Sequence, residues 1–578
     1  MEVPEVREVR SVPVGEIRRL GDHALLVGVE GPEEARRLVR AVRAAAVGDL
    51  AEVVGGLATV MVAFEPTAGG MEQRRMILAQ VMEEALAQPV GRADHEEEGN
   101  LPAAEGPLRF ITCAFDGPDL AEVAALAGCT TARVVELVTA QPLTVAVVGF
   151  SPGFAYLEGL PAELPRIPRR ARPRARVAAG SVALANGYAA VYPTASPGGW
   201  QLIGRTGAVL FDPTTPPYAQ LAPGDRVQFT VAAPNAGLEP VPAPPADAQP
   251  PAPVSARAVF VVDEPGLRSV LQDGGRRGVA ALGVPGAGPA DPDSHQLANQ
   301  LVGNPPDAGT LEVTARGPTL RCLSATFVAV VGAAPEVRLD GQPVAGGRVV
   351  PVSAGQELRV GSIRRGFRCY IGVAGGLVGP QVFGSCASDQ LCGLGPGPLA
   401  SGARLFAGTM QPPLGDHLGE GSSPDVAEGE PIVLRVVPGP HPERFAPGVL
   451  TALASTRFSV GAESNRVGLR LRSAAGDPPL GVAPVPAAEL DSQGVVTGAV
   501  QVPPDGDPVI LLSDHATLGG YRGVAVVVAA DLGLLGQCAP GRTVELVPID
   551  HDEAAEALRR RRRQLETAVV GHYPLALA

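Results

Sequence analysis

Two short turns of the same design flank an arginine-rich stretch in the first half of the chain. Ser151-Pro152-Gly153 ends one apolar run, and Ser196-Pro197-Gly198 precedes the only tryptophan, Trp200. Proline fixes φ and glycine permits positive φ, so each turn holds a tight backbone path that can present N–H groups. Arginines at alternate positions between the turns would share one strand face, which suits bidentate contacts with phosphate or carboxylate. These arginines are Arg170, Arg172, Arg174 and Arg176.

The stretch from Gly149 to Arg205 therefore predicts an anion-binding site. Its candidate substrate- and anion-binding residues are Ser151, Tyr156, Arg174, Arg176, Ser181 and Arg205. The alternative is structural: the turns would cover a barrel, the arginines would form a solvated stripe, and Trp200 would lie in a core. If the stretch binds ligand, we expect it to form one wall of a site shared with Gln272 to Glu312.

The second half carries three carboxylates that could act as general bases or position a water molecule. Glu312 lies in an apolar strand, where a lone buried carboxylate is costly, while Asp514 lies in LLSDHATLGGYRG and Asp273 on the tight turn QDGGRRG. The candidate substrate-binding residues around them are Gln272, Arg276, Asn299, Asn304, Asn465, Arg466 and Tyr521. For QDGGRRG the alternative is a hairpin with a surface ion pair, which contributes little stability.

Two further expectations concern the helix and the metal chemistry. Asp291 is expected to cap the N-terminus of a helix that carries His295, because aspartate accepts hydrogen bonds from first-turn N–H groups. We expect His295 to be exposed. No spacing of His, Cys and carboxylate specifies a zinc site, so no resident metal is predicted.

Charge and composition exclude several classes of function. The formal net charge is −13, which argues against a nucleic acid or an anionic membrane as partner. The chain contains no lysine, so all 47 of its basic residues other than histidine are arginine. A Schiff-base lysine, a P-loop lysine and a biotinyl-lysine are therefore excluded on this chain. Phosphate or carboxylate would be held by arginine, backbone N–H groups or metal.

Length and composition predict a multidomain protein that is mainly β. At 578 residues the chain should form two to four domains. Its 72 Gly and 59 Pro favour many short strands joined by turns. The charged N-terminus has no apolar core, no window approaches about 18 apolar residues, and the seven cysteines form no CxxC pair. We therefore expect a cytoplasmic protein with free thiols, and the oligomeric state, including a homo-oligomer, stays open.

Shifts in pattern along the chain predict its domain organisation. Two strand–helix repeats come first, short strands follow, and an almost uncharged Pro/Ala segment separates two halves. The predicted units are a small α/β domain at 12–92, a β-rich domain at 107–231, a linker at 232–254, two β domains at 257–413 and 430–550, and a C-terminal helix and tail at 551–578.

The motifs themselves resemble a known family. GFSPGFAYL, GSVAL and YPTASPGGWQLIGRT resemble the first of two subunits of bacterial 5-oxoprolinase, also called allophanate hydrolase subunit 1 or KipI. VLQDGGRRG, GPADPDSHQLANQLVGN, ESNRVGLRL and LSDHATLGGYRG resemble the second, allophanate hydrolase subunit 2 or KipA. The two resemblances cover nearly the whole chain, in the order of a natural fusion.

The resemblance implies both a fold and a reaction. The fold implied is mainly β with α+β elements: cyclophilin-like β-barrels in both halves behind a small α/β N-terminal domain. The reaction implied is ATP-dependent hydrolysis of 5-oxo-L-proline to L-glutamate, with a PxpA-like partner of the LamB/YcsF family. ATP would make a poor amide electrophile reactive, and Mg²⁺ would arrive with ATP.

Two alternative functions stay open from the sequence. One is a KipI/KipA-like regulator that binds a sensor histidine kinase, although a fused inhibitor and antagonist would make a poor switch. The other is the carboxyltransferase component of a biotin-dependent urea or amide carboxylase. That component would need a separate biotinylated carrier, because this chain has no lysine to modify.

Overall fold

A computed structural model of the chain describes residues 12–45, 47–66, 70–87, 106–170, 172–233, 241, 256–419, 421, 426–427, 429–473 and 490–571. The predicted linker at 232–254 lies almost entirely outside the described residues, as does the end of the predicted tail, 572–578. No helix among the described residues is both long and apolar enough to cross a membrane. All the cysteines are free thiols, as expected.

The first unit is a four-stranded antiparallel sheet with two helices on one face. Its elements are β1 (Ile17–Leu20), β2 (Ala24–Gly28), α1 (Pro32–Ala44), β3 (Leu50–Gly55), β4 (Thr59–Phe64) and α2 (Met71–Leu86), and the strand order is β1-β2-β4-β3. Helix α1 begins with Pro32 and has two acidic residues in its first turn, which complements the helix dipole. Strands β2 and β4 are buried on both faces, so the sheet also packs against something other than its own helices.

A closed seven-stranded barrel follows. Its elements are β5 (Leu108–Ala114), α3 (Leu120–Leu126), α4 (Thr131–Thr139), β6 (Leu143–Val148), β7 (Ala155–Glu158), β8 (Arg174–Val177), β9 (Ser181–Ala185), β10 (Tyr188–Val191), β11 (Ser196–Gly198), β12 (Gln201–Thr206) and β13 (Arg226–Val231). The barrel order is β10-β7-β6-β13-β5-β12-β9, and β8 pairs with β11 beside it. Asn186 and Gly187 both have positive φ, which matches a two-residue hairpin between β9 and β10.

The second half begins with a ten-stranded sheet that has one helix packed on it. Its elements are β14 (Arg257–Glu264), β15 (Arg268–Gln272), α5 (Pro292–Leu301), β16 (Thr310–Thr314), β17 (Thr319–Cys322), β18 (Thr326–Leu339), β19 (Gln342–Val344), β20 (Val349–Val352), β21 (Glu357–Val373), β22 (Leu377–Val378) and β23 (Arg404–Ala407). As expected, Asp291 caps α5 and accepts a hydrogen bond from Ser294 N at 3.0 Å.

A second closed seven-stranded barrel completes the described chain. Its elements and their flanking strands are β24 (His417–Leu418), β25 (Ile432–Pro438), α6 (Val449–Ser455), β26 (Arg457–Val460), β27 (Gly468–Ser473), β28 (Gln493–Gly494), β29 (Ala499–Val502), β30 (Val509–Leu511), β31 (Leu518–Gly519), β32 (Arg522–Val527), α7 (Leu532–Gly536), β33 (Thr543–Pro548), α8 (His551–Glu566) and β34 (Val569–Val570). The barrel order is β25-β32-β29-β30-β27-β26-β33. Its first and last strands, β25 and β33, run parallel, as β5 and β13 do in the first barrel.

One apolar core joins the small domain, both barrels and the C-terminal helix. It includes Leu26 of the small domain, Tyr156 and Trp200 of the first barrel, Val526 of the second barrel and Leu558 of α8. Trp200 is 6% exposed, so its predicted core position is confirmed. Because burial is the main favourable term in folding, the two halves stabilise each other through this shared core.

Candidate functional site

The candidate site lies where two loops of the second half meet the first barrel. The first loop, 276–286, is closed at its base by a hydrogen bond of 2.6 Å from Arg276 N to Gly286 O. The second loop, 382–394, carries Asp389. Apolar side chains of both loops pack with Phe211 of the first barrel in a small separate cluster. The first barrel therefore helps to hold both loops in place.

Asp389 has the properties of a proton-transfer group. It is 6% exposed, its Oδ1 accepts a hydrogen bond from Cys392 N, and its Oδ2 has no hydrogen-bond partner among the described residues. Burial, together with the negative charge of Asp514, raises the pKa of Asp389 to about 7, against the opposing charges of Arg276 and Arg466. A carboxyl group that titrates near neutral pH can both accept and donate a proton there.

Arg276 supplies a buried cation next to this carboxyl group. It is 3% exposed, and its Nη2 donates to Ala387 O at 2.5 Å while its Nε donates to Val382 O at 3.3 Å. Its Nη1 has no hydrogen-bond partner in the described part of the chain. Burial lowers the pKa of Arg276, and the charges of Asp389, Asp273 and Asp514 oppose that shift. A guanidinium N–H in such a position can stabilise the oxyanion of an attacked carbonyl.

A fully buried ion network contacts the chain next to Arg276's loop and next to Asp389. The Arg466 guanidinium donates to Asp514 through Nε at 3.0 Å and through Nη2 at 2.8 Å, and to Glu312 Oε1 through Nη1 at 2.6 Å. It also donates to Gly288 O at 2.6 Å, just beyond the 276–286 loop. Gln390 N donates to Asp514 Oδ2 at 2.9 Å, so the network also holds the chain beside Asp389.

Glu312 is an anchor of this network. Burial opposes its ionisation, but the charges of Arg466 and Arg368 outweigh that cost and lower the pKa of Glu312 to about 2. Tyr370 Oη and Ala290 N donate to its Oε2 at 2.8 and 2.9 Å. Asp514 is equally enclosed, with no exposed surface. These contacts favour positioning roles for Glu312 and Asp514 rather than the general-base roles predicted for them.

Asp273 also holds backbone in place. Its Oδ1 accepts a hydrogen bond from Gly275 N at 3.0 Å and another from Ser385 Oγ, and its Oδ2 accepts one from Cys386 N at 2.7 Å. At this turn Asp273 and Arg276 each bond to the loop that carries Asp389, while the exposed Arg277 pairs with Glu65, so a surface ion pair is present beside the buried contacts. Gln272 acts similarly, since its Nε2 donates to Ser388 O at 2.8 Å.

Asp389 itself was not among the predicted site residues. The segment GSCASDQ contains no acid–base pair at recognisable spacing, and the partners of Asp389 come from distant parts of the chain. Backbone strain marks the same place: Phe150, Ala287 and Phe383 have positive φ of 74°, 53° and 55°, one at each of the three segments that meet there. Such residues cost about 1–3 kcal/mol each and concentrate at functional sites.

Two predicted substrate contacts on α5 and after it are internal instead. Asn304 Nδ2 donates to Asn299 Oδ1 at 3.0 Å, and Asn299 Nδ2 donates to Ala308 O at 2.7 Å. His295, expected to be exposed, is 3% exposed and its Nδ1 lies 2.9 Å from Thr310 Oγ1. The expectation is wrong because α5 packs between the sheet and α7. Burial lowers the pKa of His295 to about 4, so it is neutral at pH 7.

The arginines of the first half pair with carboxylates of their own barrel. Arg170 Nη1 and Arg174 Nη2 both donate to Asp119 Oδ1, at 2.9 and 2.7 Å, and Arg205 Nε donates to Asp116 Oδ2 at 3.0 Å. Arg176 is exposed. The prediction that four alternate arginines share one strand face is wrong, because β8 begins only at Arg174. The geometry thus offers no shared arginine face for an anion.

The remaining predicted residues fall into buried and exposed groups. Ser151, Tyr156 and Ser181 are buried, and Tyr156 Oη lies 3.5 Å from Ser492 Oγ of the second half. Asn465 Oδ1 accepts a hydrogen bond from Val467 N at 2.8 Å and shapes the turn before β27. Tyr521 is 48% exposed. Of the predicted set, Arg276, Arg466, Asp514, Glu312, Asp273 and Gln272 contact one another or the two site loops.

The Ser-Pro-Gly turn of the first barrel contacts the 276–286 loop directly. Gly153 N donates to Leu282 O at 2.9 Å. At Gly283, where φ is +77°, a Cβ atom would lie 2.3 Å from Ser151 O, so only glycine fits this approach. The expected contact between Gly149–Arg205 and Gln272–Glu312 is present, but it is made by this turn and not by the arginines.

ATP and Mg²⁺ were expected without any residue assigned to them, and two of the arginines predicted to bind an anion already contact carboxylates. Among the described residues, no group of three or more His, Cys, Asp and Glu side chains could hold a metal ion. Arg174 and Arg205, two of the predicted anion-binding residues, are already paired with carboxylates. We therefore derive no chemical step through ATP or its metal ion.

The chain, with its two seven-stranded barrels, matches two carboxyltransferase domain families. The family described as "Carboxyltransferase domain, subdomain C and D" matches residues 15–221, and "Carboxyltransferase domain, subdomain A and B" matches residues 282–548. The crystal structure of TTHA0988 superposes with a TM-score of 0.76 at 33% sequence identity, covering 91% of this chain and 99% of that one. The barrels are thus cyclophilin-like carboxyltransferase folds, as the resemblance implied.

Curated relatives narrow the class to a family. The C subunit of 5-oxoprolinase from Escherichia coli K12 is 32% identical over 308 residues, which is 52% of this chain and 94% of that protein. The B subunit of 5-oxoprolinase from Escherichia coli O157:H7 is 51% identical over 113 residues, 20% of this chain and 51% of that protein. Urea amidolyase of Lachancea kluyveri is 30% identical over 53% of this chain, but the match spans only 18% of its own length. The chain belongs to the family of the B and C subunits of 5-oxoprolinase, fused in one polypeptide.

Proposed function

We propose that this chain supplies the B and C components of an ATP-dependent 5-oxoprolinase that hydrolyses 5-oxo-L-proline to L-glutamate. The support is twofold: proteins named as the B and C subunits of 5-oxoprolinase are similar to this chain, and two buried groups of opposite charge, Asp389 and Arg276, lie on the two site loops. We propose that the activity requires a PxpA-like partner of the LamB/YcsF family together with ATP and Mg²⁺, and that it operates in the cytoplasm.

The chain's own residues can carry the proton transfers of amide hydrolysis. In the proposed reaction, the Asp389 carboxylate accepts a proton from the water that attacks the lactam carbonyl carbon, forming a C–O bond. The Arg276 Nη1 group donates a hydrogen bond to the oxygen that becomes negative. When the C–N bond breaks, the Asp389 carboxyl group returns its proton to the leaving nitrogen, so the carboxylate is restored.

The observation that carries this proposal concerns two buried polar atoms on the two site loops, Asp389 Oδ2 and Arg276 Nη1, which do not bond to each other. Each is without a hydrogen-bond partner among the described residues, although each is buried. Buried polar atoms in native proteins are nearly always hydrogen-bonded, so these two atoms are available for contact with a ligand or water.

The direct test is reconstitution. The purified chain is mixed with a PxpA-like protein, ATP, Mg²⁺ and 5-oxoproline, and glutamate is measured. We expect glutamate only when all components are present, and a loss of at least about 10²-fold in kcat for Asp389→Asn, as expected when a general base is removed. Absence of glutamate from the wild-type mixture, under conditions in which separate B and C subunits are active, would overturn the proposal.

The similarity to urea amidolyase favours a second candidate, the carboxyltransferase component of a biotin-dependent urea or amide carboxylase. This function requires a separate biotinylated carrier, because the chain has no lysine. Addition of avidin separates the two candidates. Avidin should abolish a carboxyltransferase activity and should leave glutamate formation unchanged.

A further inference from the structure

One carboxylate of the small N-terminal domain reaches a site loop of the other half of the chain. Glu52 Oε1 accepts a hydrogen bond from Gly278 N at 2.6 Å, and Glu52 Oε2 accepts one from Ala280 N at 3.2 Å. The two partners lie 226 and 228 positions further along the chain, so the contact exists only because of the fold. Carboxylate hydrogen bonds to backbone N–H groups are charge-assisted and about twice as strong as neutral ones.

A β-bulge in β3 determines the direction of the Glu52 side chain. The pairing of β3 with β4 shifts register between Leu50 and Glu52, so Ala51 is an extra residue in the strand. Such a bulge bends the strand locally and re-aims the side chain beside it. Glu52 is half-buried, and burial raises its pKa while the backbone N–H groups of Ala280, Gly278 and Val279 oppose the shift. A regular strand would have sent this side chain in another direction.

The loop that Glu52 holds begins with the arginine of the candidate site. Arg276 forms the base of loop 276–286 through its N–H to Gly286 O. Glu52 bonds the middle of the loop, and Gly153 N bonds its far side at Leu282 O, 2.9 Å away. Arg277 and Glu65 add an exposed ion pair of 3.1 Å, which contributes little. The backbone of the loop therefore forms hydrogen bonds with two groups of the first half of the chain, the Glu52 carboxylate and Gly153 N.

We propose that Glu52 is a positioning residue that fixes loop 276–286 and thereby the position of Arg276 at the base of that loop. The expected effect of Glu52 on catalysis rests on the proposed function. Its expected effect on the loop does not depend on that function. The small domain thus contributes to the site through backbone hydrogen bonds to the loop. In this arrangement the first half of the fusion controls the geometry of a site whose acid and cation both belong to the second half.

The test uses the full-length chain and two independent measurements. Hydrogen–deuterium exchange of a peptide covering 276–284 is compared for wild type, Glu52→Ala and Glu52→Gln. We expect exchange to be at least about tenfold faster in Glu52→Ala, with an intermediate rate in Glu52→Gln, because the amide retains one acceptor oxygen. Glu84→Gln, an exposed carboxylate on α2, is the matched control and should not change the rate.

The kinetic measurement is made on the reconstituted mixture. We expect Glu52→Ala to lower kcat about tenfold or more with a smaller change in KM, and Glu52→Gln to recover part of the loss. Unchanged exchange in 276–284 for Glu52→Ala would overturn the proposal, and so would faster exchange with unchanged kcat. If wild type makes no glutamate, the proposed function fails, while the exchange data still decide whether Glu52 holds the loop.

Discussion

Asp389 is expected to set the pH dependence of the reaction, because its pKa of about 7 lies inside the working range of most enzymes. As a general base it must be ionised, so kcat/KM should rise with pH and level off above about pH 7. Asp389→Asn should abolish this rise of kcat/KM with pH, together with most of the activity. The measurement is a pH–rate profile of the reconstituted mixture, and a wild-type profile that is flat from about pH 5 to about pH 8 would contradict the role.

The same raised pKa makes a separate prediction about stability. A carboxyl group with a raised pKa in the folded state stabilises the fold fully below its unfolded-state pKa, about 3.9, and this contribution is lost as pH rises through about 7. Asparagine does not ionise, so Asp389→Asn should match wild type at acidic pH and exceed its melting temperature at about pH 8. Thermal unfolding at several pH values checks this, and a variant that is less stable than wild type at the alkaline end would count against it.

Arg466 is the residue on which the buried network depends. Arg466→Met would remove the buried ion-pair partner of Asp514 and leave Glu312 with only Arg368, 3.5 Å away, as an ion-pair partner among the described residues. Breaking a buried pair in this way costs about 3–5 kcal/mol. Adding Glu312→Gln and Asp514→Asn to that variant should restore much of the stability, because the uncompensated charges disappear. Denaturant unfolding of the single and triple variants measures the difference. Equal stability of the single and triple variants would show that uncompensated charge is not the cause of the lost stability.

At the scale of elements, the contact between the Ser151–Gly153 turn and the 276–286 loop depends on Gly283. Gly283→Ala would force a Cβ atom to within 2.3 Å of Ser151 O at a φ of +77°, so the loop must move. We expect a loss of about 1–3 kcal/mol in stability, measured by denaturant unfolding, and a clear loss of activity. Gly278 also has positive φ, but a Cβ atom there would meet no neighbour, so comparison with Gly278→Ala separates the clash from backbone strain. Equal effects of the two substitutions would contradict the role of the close approach.

Local sequence signals predicted many elements correctly and failed where tertiary contacts decide. The Asp291 cap was predictable because a cap needs only its own helix turn. The predicted strand face of four arginines was wrong, because the proline at position 173 and the pairing of Arg170 with Asp119 delay the start of β8. His295 was expected to be exposed, but the packing of α5 against α7 buries it. Asp389 acquires its pKa only from groups that the fold brings to it.

At the scale of the whole molecule, the order of the two halves and their barrels could be predicted from the motifs, but the way they interlock could not. The shared core mixes Leu26, Trp200 and Val526, which no local pattern connects. The hydrogen bonds from the 276–286 loop to Glu52 and from Gly153 to Leu282 likewise join segments that are far apart in sequence. The site is therefore a property of the assembled halves. The regulator alternative stays a prediction, and the oligomeric state stays open.

This interlocking predicts how the chain behaves when it is divided. The relatives include separate B and C subunits, so a cut within 232–254 should yield two fragments that can still meet. Because Trp200 and Val526 lie in one core, we expect the co-expressed fragments to copurify in equal amounts, and each fragment alone to expose apolar surface and aggregate. Size-exclusion chromatography of tagged fragments measures this. Trp200→Ala in the first fragment should lower the yield of the complex, because Trp200 lies in the shared core. Tyr521→Ala in the second fragment should not, because Tyr521 is 48% exposed. Fragments that stay monodisperse and separate would show that the shared core does not hold the halves together.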